Sequence, residues 1–209
     1  MKKNNRTLLL TTGFCLLPLL AALILWNDMP DQVPTHWNFA GEIDGYGSKA
    51  MTLLGIPAFM ALMNMFVHFM LTKDPKAENM SKILKSISYW ILPVMSVLLT
   101  SLTYLVVLGV NVRVEIIIPL LIGVMFIAMG NYLPKCRQNY TMGIKTPWTL
   151  NSEENWTRTP RLGGYCFTVA GFLMLLCALP GLWWLVYVSI TLSAIVPMAY
   201  SYLLYRKGI

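Results

Sequence analysis

Charge is scarce in this sequence. Only 12% of its 209 residues are charged, against 56% hydrophobic, and the mean hydropathy is +0.59. An ordinary soluble domain carries about 25% charged residues. A chain with half that share cannot cover a globule of its size with a hydrated surface, which excludes a soluble enzyme and a disordered chain alike. Four cysteines are too few for a disulfide scaffold. There are two histidines, and no GxSxG, HExxH, P-loop or CxxC pattern, so neither a metal centre nor a cofactor site is expected and no residue is assigned a catalytic role. The apolar stretches hold almost no ionisable groups, which argues against a proton relay or ion pump.

What the sequence does contain is long apolar runs. A spanning helix needs about 20 mostly apolar residues, and six stretches qualify, roughly 7–26, 51–72, 86–108, 114–133, 164–180 and 182–204. None alternates with period two, so the expected fold is an all-α membrane protein with six transmembrane helices. Lys2, Lys3 and Arg6 precede the first span. Lys73, Lys76, Lys82 and Lys85 separate the second from the third, five basic residues from Lys135 to Arg161 separate the fourth from the fifth, and Arg206 and Lys207 follow the sixth. Only Lys49 and Arg113 fall on the other face, so both termini are expected in the cytoplasm. This topology accounts for the net charge of +7 without nucleic acid. The first run is longer than a signal-peptide core and reads as a retained helix. Asn139-Tyr140-Thr141 and Asn155-Trp156-Thr157 match glycosylation acceptors but fall on the inner side.

Two loops are too long to be plain connectors. The outer one, 27–50, is acidic and aromatic. Its Pro30 and Pro34 predict extended chain, and Asp44-Gly45 reads as a turn. His36, Trp37 and Asp44 are its candidate contacts for a cationic ligand. The competing reading is a structural cap with Trp37, Phe39 and Tyr46 as interfacial anchors. In the inner loop, 134–163, Thr146-Pro147-Trp148-Thr149 reads as a turn, and Asn151 as the N-cap of a short helix over 152–159 that carries Glu154, Trp156 and Arg158, with Pro160 either ending that helix or beginning the next one. Gly163-Gly164 then turns the chain into the next span. This loop reads equally as a docking surface or as an amphipathic segment lying on anionic lipid. Within the spans, Asn64 and His68 share a helix face and are expected to bond a neighbouring helix. Gly123 and Gly130 share another and are expected to pack.

The inner run Gly130-Asn131-Tyr132-Leu133-Pro134-Lys135, the stretch Asn139–Leu150, Glu153-Glu154-Asn155-Trp156 and Arg161-Leu162-Gly163-Gly164 together resemble the signature of the SdpI family of bacterial immunity proteins. The outer stretch Met29–Asn38, continuing through Gly41, Asp44, Tyr46 and Lys49, resembles the uncharacterised N-terminal module often joined to it. The resemblance implies two modules, residues 1–72 and 73–209. It also implies a plasma-membrane protein that meets a secreted toxic peptide and recruits a cytoplasmic repressor protein, with membrane lipid as its other partner. Asn131, Lys145, Thr146, Pro147, Trp148, Thr149, Glu154, Trp156, Arg158 and Arg161 become candidate partner contacts. The pattern departs at Pro160, where the family commonly has His. Two other classes fit the composition, a transporter or flippase for a small amphipathic substrate, and a structural or envelope-stress membrane protein.

Overall fold

The computed structural model describes residues 2–38, 41–179 and 181–209. Phe39 therefore lies outside the described residues. Eight helices appear in chain order: α1 (Lys2–Ile24), α2 (Ile56–Lys73), α3 (Lys82–Val107), α4 (Val114–Tyr132), α5 (Pro147–Asn151), α6 (Glu153–Leu176), α7 (Leu185–Ile190) and α8 (Val196–Arg206). A wider π turn, Met51–Gly55, leads into α2, and another, Thr191–Ile195, joins α7 to α8. Among the described residues, five helical stretches are long and apolar enough to cross a membrane: Asn5–Ile24, Met51–Lys73, Lys82–Val107, Val114–Lys135 and Leu185–Arg206. The expected span at 164–180 falls differently. Its residues 164–176 lie inside α6, which begins among the charges of the inner loop and ends at Leu176.

The helices group into two compact units. One comprises residues up to Thr72 with Lys85–Val114; the other comprises Lys73–Leu84 with Glu115–Ile209. In the first, Ala22, Met29, Val33, Leu53 and Tyr104 form a buried apolar cluster. Hydroxyls of α3 reach carbonyls of α1 beside the helix-weakening Pro18. Tyr104 donates to the Pro18 oxygen at 2.9 Å and Ser96 to the Cys15 oxygen at 2.9 Å. In an apolar bundle such bonds fix which helix faces meet. Asn64 and His68 close on α1 as expected. The Asn64 amide is 3.0 Å from Thr11 Oγ1 and 3.1 Å from Thr12 Oγ1. His68 Nε2 is 3.0 Å from Thr11 Oγ1, and its ring stacks on Tyr89 at 4.1 Å.

The outer loop is not helical. It forms an antiparallel hairpin of β1 (Gln32–Trp37) and β2 (Ile43–Ser48), with Val33 opposite Gly47 and His36 opposite Gly45. Asp44-Gly45 is inside β2 and is not the turn. Of the residues between the strands, Gly41 has a φ of 81° and the Asn38 side chain bonds both the backbone N–H and the carboxylate of Glu42. Gly45 is small for a different reason: a β-carbon there would stand 2.9 Å from His36 Cβ.

In the second unit, α4 and α6 approach through glycine. A β-carbon at Gly130 would lie 2.7 Å from the Gly164 carbonyl oxygen, one at Gly164 would lie 2.8 Å from the Gly130 oxygen, and Gly123 and Gly171 repeat the relation. The expected turn at Gly163-Gly164 is therefore a helix contact. Pro160 does not stop the helix either. It is buried within α6, where packing of the flanking turns outweighs its missing N–H, a compromise familiar in membrane helices.

Candidate functional site

The local sequence explains how the inner loop is built. Thr146 is extended (φ −120°, ψ 160°) and caps α5. Its Oγ1 accepts from the Thr149 N–H while Thr149 Oγ1 accepts from the Thr146 N–H, and Pro147 occupies the first helical position. The expected turn at 146–149 is thus a helix start, set by a Thr–Pro–x–Thr arrangement that suits an N-terminus. Ser152, not Asn151, caps α6 by accepting from the Asn155 N–H, because Asn151 is still the last residue of α5.

A continuous run of buried hydrogen bonds joins these caps to α8. Thr146 and Ser201 hydroxyls meet at 2.9 Å; the Ser201 hydroxyl donates to Asn155 Oδ1 at 2.9 Å, as does Thr159; and the Asn155 amide donates to the Ser201 carbonyl at 3.0 Å. Asn155, Thr149, Thr159 and Ser201 are fully buried. Trp156, also buried, donates its indole N–H to the Cys136 carbonyl at 2.8 Å. Burial raises the Cys136 thiol above its ordinary value, although Asn139 beside it acts in the opposite direction, so this cysteine is held as a neutral packing group.

A second hub ties the segment after α2 to the inner loop. Asp74 accepts from the Lys76 N–H at 2.8 Å, the Tyr140 N–H at 2.9 Å and the Thr141 hydroxyl at 2.6 Å. Burial alone would raise its carboxyl, but these bonds outweigh burial and hold it below the ordinary 3.8. A depressed acid contributes stability that is fully present above its unfolded value and is lost as pH falls through the folded one. Thermal unfolding of the detergent-solubilised protein is therefore expected to be flat from pH 7 to about pH 4 and to weaken below it. Asp74→Asn is expected to be less stable at pH 7 and to lose most of that acid dependence. An unchanged acid limb in the variant would remove Asp74 from this role.

The candidate contacts separate by exposure. Thr146, Thr149 and Trp156 are buried and hold the loop together; Asn131, Lys145, Pro147, Glu154, Arg158 and Arg161 are exposed. Lys145 donates to the carbonyls of Tyr140 and Thr141 at 3.2 and 3.0 Å, and Arg158 pairs with Glu154 at 2.6 Å one turn away. Trp148 is half-buried against Tyr202 and Tyr205, with ring centres 5.1 and 5.9 Å away. Asp74, Gln138, Asn139, Asn155 and Ser201 are not among the candidate contacts read from the sequence, although Asn139 and Asn155 fall in the runs that carry the family resemblance. The one local signal was Asn139, whose Oδ1 accepts from the N–H groups of Thr141 and Met142 as an Asx turn.

On the outer hairpin, His36 and Asp44 do come together, with Nδ1 and Oδ1 2.5 Å apart and both side chains exposed; Trp37 beside them is half-buried. Asp28, Asp31, Glu42 and Asp44 are all exposed, whereas the nearby cation is turned inward: Lys49 donates to the Met29 carbonyl at 2.8 Å and lies 4.9 Å over the Trp26 ring. The hairpin thus presents a net negative surface. Among the described residues no group of three or more His, Cys, Asp or Glu is placed to hold a metal ion.

Residues 13–61 match a domain of unknown function, DUF1648, and residues 135–201 match the SdpI/YfhL protein family. The immunity protein SdpI of Bacillus subtilis (strain 168) is 28% identical over 174 residues, covering 83% of this chain and 80% of that protein. No solved structure matches the chain. The first match takes in α1, β1, β2 and the start of α2; the second runs from Lys135 to Ser201, the stretch that contains the buried hydrogen-bonded run.

Proposed function

We propose that this chain, whose residues 135–201 match the SdpI/YfhL family and whose residues 13–61 match DUF1648, is an immunity protein that protects its cell from a secreted, membrane-active killing peptide by binding. It is a multi-pass protein of the bacterial plasma membrane. The likeness to an immunity protein over most of both chains carries the functional reading.

The proposed arrangement has six spans and cytoplasmic termini. The distribution of basic residues supports it, and so does one face of α6. Glu154, Arg158 and Arg161 are exposed at its start. Tyr165, Val169, Phe172 and Leu176 are exposed further along at helical spacing. A stripe that passes from ionic to apolar at a tyrosine is what a helix leaving the headgroup layer for the hydrocarbon would present. The outer carboxylates then face the arriving peptide, whose membrane activity implies an amphipathic and commonly cationic chain. The exposed Lys145, Arg158 and Arg161 face the cytoplasm, where a repressor protein would dock.

Expression of the intact chain in a peptide-sensitive strain is expected to allow growth at peptide concentrations that kill the empty-vector strain. Neutralising the hairpin with Glu42→Gln and Asp44→Asn, at equal membrane levels, is expected to lower the protective limit about tenfold, the scale of one or two interfacial charge contacts. Death of both strains at the same concentration would reject immunity to that peptide; full protection by the double variant would move recognition away from the hairpin.

A further inference from the structure

A cleft of about 760 Å³ opens between the segment that follows α2 and the end of α4. Lys76, Lys135 and Arg137 line it, with Pro75, Pro134 and Trp156 as its walls. None of these residues is used by the immunity reading apart from Trp156, which is buried in the scaffold. From this cleft we infer that the protein carries a binding site for a phosphate ester, supplied by the headgroup of an anionic phospholipid or by a soluble phosphate compound.

The site is pre-built. Asn79 donates to the Gln138 carbonyl at 2.6 Å, and Gln138 donates onward to the Leu150 and Thr149 carbonyls at 2.9 and 3.2 Å. The Lys76 ammonium donates to the Gln138 side-chain oxygen and lies 5.6 Å over the Tyr140 ring. The Trp156 indole is fixed to the Cys136 carbonyl. The two walls are thus tied together before any ligand arrives, which lowers the ordering cost of binding.

The cations around this frame are only partly engaged. Lys135 is exposed, and its ammonium lies 4.8 Å over the Tyr132 ring, an aromatic contact that leaves N–H groups to donate. Arg137 is exposed, and its guanidinium makes no ion pair among the described residues. Two carboxylates, Glu78 and Glu153, also line the cleft and are exposed. Three cations against two carboxylates leave one net positive charge, too little for a polyanion and suited to a single phosphodiester. The volume is that of a site for a small molecule, larger than a bare phosphate needs. Position adds to the case: Tyr132 and Lys135 close a helix of membrane-spanning length, where basic pockets at helix ends meet lipid headgroups.

The test uses the full-length protein in nanodiscs, followed by thermal unfolding. Wild-type protein in phosphatidylcholine discs is the reference. One arm adds phosphatidylglycerol to the bilayer; the other adds glycerol 3-phosphate to the buffer over unmixed phosphatidylcholine. Stabilisation in the first arm identifies a lipid headgroup and in the second a soluble phosphate ester; either supports the site if Lys135→Gln/Arg137→Gln removes it. Each basic residue at an anionic surface contributes about fivefold, so the double variant is expected to weaken the apparent affinity about thirtyfold. Arg158→Gln/Arg161→Gln, which removes two exposed basic residues outside the cleft, is expected to keep the effect, as is the charge-conserving Lys135→Arg/Arg137→Lys. No stabilisation in either arm overturns the site. So does stabilisation that survives Lys135→Gln/Arg137→Gln, or that falls equally in the Arg158/Arg161 variant, since general surface charge would then be responsible.

Discussion

Gly130→Val is expected to remove most of the folded protein from the membrane. The position has no room: a β-carbon there would lie 2.7 Å from both the Gly164 carbonyl oxygen and the Thr168 backbone nitrogen. The Thr168 hydroxyl, which stands closer still, could rotate away, but these two obstacles are main chain and cannot. The partner position is equally closed, with Pro134 Cγ 2.6 Å and the Gly130 oxygen 2.8 Å from a β-carbon at Gly164. Overpacking commonly costs about 1–3 kcal/mol, and here the only relief is to separate α4 from α6, which also gives up the Gly123–Gly171 contact. A loss of at least about 3 kcal/mol is expected, at the upper end of that range. Urea or detergent-titrated unfolding of the purified variant measures it. Gly13→Ala is the matched control, because no atom lies within 4 Å of a β-carbon there, and it is expected to be close to neutral. A Gly130→Val protein as stable as wild type would mean that α4 and α6 do not meet through these glycines.

Asn155→Leu is the second change of large expected effect. The side chain is fully buried and makes four bonds at once, donating to the Ser201 and Ile209 carbonyls and accepting from the Ser201 and Thr159 hydroxyls. Leucine keeps most of the volume but removes all four, leaving the Ser201 hydroxyl with Thr146 alone and the Thr159 hydroxyl without its acceptor. An unsatisfied buried polar group costs about 1–3 kcal/mol. Thr159 retains the option of bonding within its own helix, so a net loss of about 3 kcal/mol is expected. The effect should be non-additive with Ser201→Ala, which removes the hydroxyl contact to Asn155 from the other side while leaving the backbone carbonyl in place. A double-mutant cycle is therefore expected to return a coupling above about 1 kcal/mol; additive losses would show that the two residues act independently.

These two positions also mark what could be read from the sequence. Spans 1 to 4 and the last one were legible because apolar length is a direct physical requirement of the bilayer. Gly123 and Gly130 were legible as a packing face because two turns separate them. The pairing of Asn64 and His68 with α1 was legible in kind, though not in partner. The remaining features depend on contacts that no local pattern encodes. Asp74 reaches residues more than 60 positions away, and Asn155 reaches Ser201. Signals for turns and breaks misled where tertiary packing claimed the same residues: Gly45 is small to clear His36, Gly163 and Gly164 to admit α4 and the Ile144 side chain, and Pro160 is carried inside a continuous helix. The Thr146–Pro147–Thr149 segment read as a turn and is a helix cap, although threonine at the N-cap followed by proline is itself a helix-start signal. The candidate list changes meaning accordingly. Thr146, Thr149 and Trp156 hold the inner loop in shape. Lys145, Glu154, Arg158 and Arg161, with His36 and Asp44 on the other loop, are exposed, and the proposed function assigns partner contacts to this exposed set.

Direct binding tests the account most closely, because protection is attributed to recognition of the peptide itself. Purified protein in nanodiscs would be titrated with a fluorescent killing peptide against empty discs of the same lipid. Saturable binding beyond the lipid background is expected, weakened by added salt and by Glu42→Gln/Asp44→Asn. Binding no greater than to empty discs, by protein from cells that survive the peptide, would contradict it.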